Sequence, residues 1–418
     1  MIAVAALLVF SNLEAQNYAV KQVLVGSGGN FSDPEDYVEI STYNPASSAS
    51  WEFGSILTQS IQDMLIDGDV LYVAAQDSIA KFSLLTYNRL AVTYAPGVNK
   101  LAVYENKLLA TFAYPNTADF LRVYYADNLD FYTSIPQISD EAAGMLVVEN
   151  KLFVAVPGGW MSTVGKIALI DLSEFLFLKE VSFGAQSAGI FNLYLDGEQI
   201  ITVNKSAWGA TSGYLTAVNQ SLSQFTHTEI PYALGAGVGL LNEKLFVQMN
   251  GGIGEVNLTD MTLVNESVVE PTSMTIAAAA LDTVNSLFYV TTTDYASVGA
   301  GYVFNMNGEN IASFDAGISS ESVVIDYKIS SGIIESLSLV NMEASPNPVE
   351  DYCKLSFPKE LTGANWEVSD LQGRKVFNGL ISANDQSIML DLSSLQSGMY
   401  LATAQNSSYR AVVKILVK

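Results

Sequence analysis

Cysteine and histidine are nearly absent: 418 residues hold one of each, Cys353 and His227. Intrachain disulfides and Cys/His zinc sites are therefore excluded, and a Ser-His-Asp triad would have to use His227. That histidine lies in Gln224-Phe225-Thr226-His227-Thr228-Glu229, an alternating run that reads as a surface strand and gives the imidazole an ordinary exposed role. Basic residues are also scarce, 19 against 43 acidic, for a net charge of −24. Such a surface repels phosphate backbones and anionic lipid, so no nucleic-acid or peripheral membrane partner is expected. Residues 337–418 hold eight acids and seven bases, so nearly all of the acidic excess precedes them. It reads as a solvated surface before it reads as a calcium or cation site, since no Asp-x-Asp-x-Asp-Gly loop occurs. Long apolar runs are missing too, and with them any transmembrane helix.

What is present is a repeat. Glu149-Asn150-Lys151-Leu152-Phe153-Val154 is an acidic turn followed by a strand, and the pattern returns at Asp67-Gly68-Asp69-Val70, Glu105-Asn106-Lys107-Leu108, Asp196-Gly197-Glu198-Gln199-Ile200, Asn242-Glu243-Lys244-Leu245 and Asn285-Ser286-Leu287. The anchors Val70, Leu108, Leu152, Ile200, Leu245 and Leu287 are 38, 44, 48, 45 and 42 residues apart, and 47 residues before Val70 lies Val23. Seven copies with this period, several short strands each and no 3.6-residue periodicity predict an all-β, seven-bladed β-propeller over residues 18–328. The acidic turns join first to second strands, where Asp, Asn and Gly suit hairpins that need positive φ. The fourth copy is predicted to run 144–148, 151–156, 165–171 and 177–181 from innermost to outermost, each strand short and alternating.

Residues 2–10 are apolar but too few to span a bilayer, and a small residue, Ala15, stands at a plausible cleavage point. Residues 1–15 read as a secretory signal peptide whose basic n-region is missing; no cysteine follows to take a lipid anchor. The first copy supplies strands at 22–25, 37–43 and 51–53 but lacks an innermost one, and Glu321-Ser322-Val323-Val324-Ile325-Asp326-Tyr327 provides it from the other end of the ring. Pairing the two ends leaves no open sheet edge. After a linker at 329–336, residues 337–418 read as a small Ig-like β-sandwich with strands at 337–343, 353–357, 366–370, 375–380, 386–391, 398–405 and 409–418.

This tail carries Pro346, Asn347 and Pro348, then Val368-Ser369-Asp370-Leu371-Gln372-Gly373-Arg374, then Leu390-Asp391-Leu392 leading to Gly398-Met399-Tyr400, and a closing strand ending in Lys418. It resembles the C-terminal type A sorting domain of the type IX secretion system of Bacteroidetes. The resemblance implies Sec export, the type IX machinery as partner, a place at the cell surface or outside, and a tail that serves as an address. The rest resembles the YncE-like, YVTN-type surface-layer propellers and their Bacteroidetes subgroup of unknown function, on Val25-Gly26-Ser27-Gly28-Gly29-Asn30-Phe31-Ser32 and Lys166-Ile167-Ala168-Leu169-Ile170-Asp171. That likeness implies a binding protein, and some similar surface propellers capture cobamides.

In a propeller the second-to-third loops open around the channel mouth, the face that commonly carries function. Those loops hold Asn30, Phe31, Tyr114, Asn116, Trp160, Trp208 and Tyr295, the candidate ligand-binding residues. An exposed Trp gives a large flat contact at low entropic cost and suits a sugar, a corrin-like ring or a protein. Trp160 and Trp208 could equally fold back as packing plugs. Carboxylates on these loops show no spacing that singles out a glycosidase pair. A non-catalytic monomer without cofactor or metal is expected, binding a small molecule or glycan; the alternative is an adhesion or structural protein that binds another protein.

Overall fold

The computed structural model describes residues 17–270, 274–330, 338–370, 375–382, 386–406 and 409–418. The chain divides at residues 329 and 330 into two compact units. The first, Tyr18–Ile329, contains seven four-stranded sheets. The fourth runs Met145–Val148, Lys151–Val156, Lys166–Asp171 and Leu176–Ser182 in antiparallel order. The hairpin turns adopt the positive φ that their residues suggest, at Gly68, Glu105, Glu149, Gly197, Asn242, Glu243 and Ser286.

The second and third strands are not alternating amphipathic strands as expected. Leu152 to Val156 are all buried, as are Ile167 to Ile170. Both faces of the sheet are covered: Leu152, Val154 and Val156 pack with Leu109, Leu121 and Val123 of the third sheet, while Phe153 and Ala155 pack with Ile190, Ile200 and Val218 of the fifth. Side chains of a strand point alternately to opposite faces, so two apolar neighbours demand a continuous apolar run. Only outer strands such as Leu176–Ser182, with one covered face, keep the alternation.

Seven such interfaces join consecutive sheets in turn. The last unites Val23, Val25 and Tyr43 of the first sheet with Tyr289, Val303 and Phe314 of the seventh. The first sheet itself has the order Ser322–Ser330, Asn17–Ser27, Val38–Asn44, Ala49–Ile56, so the end of the unit supplies its innermost strand. A buried polar clasp fixes that pairing. Gln22 Nε2 donates to Asp326 Oδ2 at 2.8 Å, and Gln22 Oε1 accepts from Thr42 Oγ1 at 2.8 Å and Tyr87 Oη at 3.0 Å. Lys21 pairs with Asp326 at 3.2 Å. With its members hydrogen-bonded to one another, such a network offsets much of its desolvation cost and specifies register.

The second unit has a five-stranded sheet, ordered Ser338–Leu339, Tyr409–Val417, Gly398–Gln405, Asn365–Asp370, Lys375–Leu380, and a three-stranded one, Glu343–Ser345, Tyr352–Ser356, Ser387–Asp391. One core of Val349, Cys353, Leu355, Val368, Leu390, Ala402 and Ile415 fills it. The strand expected at 337–343 is instead two short pieces. Ser338–Leu339 pairs parallel with Tyr409 and Arg410, and Glu343–Ser345 pairs with Lys354–Ser356 in the other sheet. Buried Met342 lies between them, so the chain changes sheets where a single strand would leave that side chain outside the core. The expected signal peptide and most of the expected linker, like Gly373, lie outside the described residues.

Candidate functional site

The innermost strands of five sheets break register at the same place near their starts. The interruptions fall between Ile61 and Asp63, Val98 and Leu101, Ile190 and Asn192, Leu234 and Gly237, and Ile276 and Ala278. A bulge leaves its extra residue outside the ladder and re-aims its side chain. The residues so released, Gln62, Asn99, Lys100, Phe191, Gly235, Ala236 and Ala277, all line one cavity of about 850 Å³. In the fourth sheet the register over Met145–Val148 is unbroken and these residues stay out of the lining. There Gly144 accepts the approach of the next sheet: its N–H donates to Phe191 O at 2.9 Å, and a Cβ would overlap that oxygen.

Side chains beside the bulges staple neighbouring sheets. Asp63 Oδ2 accepts from Leu101 N at 2.9 Å, Asn192 Oδ1 from Gly237 N at 2.8 Å, and Asn99 Nδ2 donates to Ala142 O at 2.8 Å. Backbone groups beside the broken ladders thus find partners across the interfaces.

Four charged groups share the cavity: Asp63, Lys100, Lys205 and Glu321. Lys100 Nζ donates to Gln62 O at 2.6 Å and pairs with Asp63 Oδ1 at 3.3 Å. Burial pushes the Asp63 carboxyl up, opposed by Lys100 and by hydrogen bonds to its carboxylate. The Phe191 ring underlies both ammonium groups, with its centroid 5.5 Å from Lys100 Nζ and 3.6 Å from Lys205 Nζ. Lys205 touches water through the open channel, yet protein surrounds it closely enough that burial pushes it down to about 8; nearby Lys100 lowers it further and Glu321 works the other way. Burial raises Glu321, against the pull of Lys205 and Lys100.

Of the candidates named from sequence, Trp208 and Tyr295 line this cavity. Trp208 is 97% exposed and also borders a second cavity of about 930 Å³ beside Tyr232 and Met249. Trp160 is 93% exposed. Neither indole is a packing plug. Phe31, Tyr114 and Trp160 are exposed away from the cavity lining. Asn30 and Asn116 are engaged in their own loops: Asn30 N donates to Asp36 Oδ2 at 2.7 Å, while Asn116 donates to Pro96 O and Ala113 O and accepts from Arg122 Nη2 at 2.6 Å. His227 bonds Thr216 Oγ1 and Phe183 O on an outermost strand, a structural role.

Lys100, Phe191, Lys205 and Glu321 were not among the candidates. A signal for three of them exists in the sequence. Gln62, Lys100, Gly144, Phe191 and Ala277 each stand five residues before an acidic residue at or beside a hairpin turn, Asp67, Glu105, Glu149, Asp196 and Asp282, and Glu321 stands five before Asp326. Lys205 shares a loop with Trp208 and is one of few bases before residue 337.

In the second unit Asn347 ties its loop to the last strand, donating to Lys414 O at 2.6 Å and accepting from Leu416 N at 2.9 Å. Pro346 and Pro348 flank it. Asp370 pairs with Tyr400 across the sheet, Tyr400 Oη donates to Gln396 O at 2.9 Å, and Gly398 opens that strand opposite Val417. These motif positions serve the packing of the unit. Among the described residues no helix is long and apolar enough to cross a membrane, and no cluster of three or more His, Cys, Asp or Glu could hold a metal.

Residues 344–418 match the family of secretion system C-terminal sorting domains. The tail thus marks the chain for type IX secretion to the cell surface or beyond it. No curated protein matches the chain. Among solved structures it is similar to the extracellular domain of a candidate hybrid two-component system of B. thetaiotaomicron, at 10% identity and TM-score 0.50, covering 96% of this chain and 60% of that one. A candidate 6-phosphogluconolactonase from Bacteroides uniformis is similar at 12% identity and TM-score 0.54, covering 74% and 100%. PorZ, a surface component of the type IX secretion system of Porphyromonas gingivalis, is 13% identical with TM-score 0.49, covering 97% and 59%. The chain therefore spans about three fifths of the first and third of these proteins. The likenesses are of fold, a propeller-like arrangement of sheets.

Proposed function

We propose that Tyr18–Ile329 is a seven-bladed propeller of YncE-like type that, once exported, captures a small molecule at its channel mouth and catalyses nothing. The observation that carries this reading is the open cavity of about 850 Å³, walled by bulges from five sheets and rimmed by a fully exposed Trp208. A concave site with convergent polar groups and an aromatic at its edge is what a small ligand requires. A flat, plugged face would have favoured a protein partner. Adhesion keeps one supporting feature, the neighbouring loop with Trp160 and Met161 at 93% and 86% exposure.

The test is the melting temperature of the full chain against corrinoids, haem, glycans, amino acids and divalent ions. A ligand at 100 times its dissociation constant adds about 2.7 kcal/mol, so a true ligand moves the melt by several degrees. The shift should fall by about half in Trp208→Ala and persist in full in Trp160→Ala. Uniformly flat melts would overturn the small-ligand reading and transfer the function to a protein partner.

A further inference from the structure

We infer that the channel mouth is built for a small zwitterion, an amino acid with an apolar or aromatic side chain, whose carboxylate meets Lys205 and whose ammonium meets Glu321. This rests on the small-ligand reading above and specifies its chemistry.

The cavity's four charges fall into two kinds. Asp63 and Lys100 neutralise each other at 3.3 Å, and each has further hydrogen bonds. Lys205 Nζ and the Glu321 carboxylate have no hydrogen bond or ion pair among the described residues, with each other or with anything else. Both still face the cavity. Lys205 Nζ is held over the Phe191 ring at 3.6 Å, which positions the charge without discharging it. Lys205 is solvent-exposed at the cavity wall and Glu321 half-buried, and the direction in which each titration is displaced agrees with a charge that protein crowds before a partner arrives.

An open pair of opposite charges discriminates among ligands. A simple anion gains Lys205 and confronts Glu321, and a simple cation meets the reverse. A neutral sugar that displaces water leaves both charges desolvated and uncompensated, which is costly. A zwitterion satisfies both at once, in charge-assisted hydrogen bonds. Phe191, Trp208 and Tyr295 then offer apolar area for its side chain.

Calorimetric titration of the full chain at neutral pH with phenylalanine, 3-phenylpropionate and 2-phenylethylamine separates the cases. These probes share a ring and differ only in charge. Phenylalanine should bind at least tenfold more tightly than either relative. Lys205→Met and Glu321→Gln should each lose at least tenfold without lowering the melting temperature. Lys205→Glu should abolish binding, and adding Glu321→Lys should restore it, a rescue that a purely structural role would not give. Equal binding of 3-phenylpropionate, or an unchanged affinity in Glu321→Gln, overturns the inference. If none of the three binds while another compound shifts the melt in a Trp208-dependent way, the zwitterion is wrong and the small-ligand site stands. If nothing shifts it, both fall.

Discussion

Trp160 and Trp208 occupy the same loop, between second and third strands, in adjacent sheets, and both are almost wholly exposed. Their surroundings differ. Beneath Trp208 lie the released residues of broken inner strands, two lysines and two carboxylates. The Trp160 loop belongs to the sheet whose inner strand Met145–Val148 keeps its ladder intact and contributes nothing to the cavity. An exposed indole is a contact surface in either place; what makes one of them the edge of a site is the register of a strand some 15 residues earlier in the chain.

That contrast can be broken most severely at its floor. Gly144→Ala would drive a methyl into Phe191 O, a backbone atom with no freedom to yield. Overpacking of this kind costs about 1–3 kcal/mol, so the melting temperature should fall by several degrees and ligand affinity with it. Gly159→Ala, beside Trp160, meets only the mobile end of Glu141 at 3.1 Å and should stay within about 0.5 kcal/mol of the parent. Equal losses would mean that the exposed Trp160 loop is packed as tightly as the inner edge of its sheet, where Gly144 meets Phe191.

A smaller effect sharpens the comparison directly. Trp208→Ala should weaken ligand binding about tenfold, in the range of buried aromatic anchors, and leave the melt unchanged. Trp160→Ala should change neither, and a matching loss there would place a ligand across both loops. The smallest effect is on pH. Lys205 holds its proton below about 8, so affinity for a carboxylate should be level at neutral pH and decline as pH rises through 8. Lys205→Met should flatten that decline. Without ligand the sign reverses. The unfolded chain keeps this proton to about 10.4, so the folded state carries a penalty below 8 that is relieved, slightly, between 8 and 10. A melt that falls over that interval in a Lys205-dependent way would contradict the assignment.

Much of the fold was legible because it is written in local chemistry. The turns at Asp67, Glu105 and Glu149 announce hairpins, and the missing inner strand of the first copy sends the eye to Glu321–Tyr327, which the structure finds as Ser322–Ser330. The continuous burial of Leu152 to Val156 was less legible, since an apolar run looks alike whether one or two sheets cover it. The site was least legible. Lys100, Phe191 and Glu321 are separated by some 90 to 220 residues and meet because bulges release the first two into a space that the start of the Ser322–Ser330 strand also borders. Large aromatic residues in second-to-third loops pointed to Trp208 and Tyr295, and equally to Phe31 and Tyr114, which sit over no such floor.

The clasp between Gln22 and Asp326 spans 304 residues of chain. Contacts that distant are entropically expensive to close and set slow folding rates. Until residues 322–330 emerge, the first sheet has three strands and a bare inner edge. The chain therefore travels as an open array of sheets through synthesis, and its ring locks only once the stretch that leads into the export address has been made.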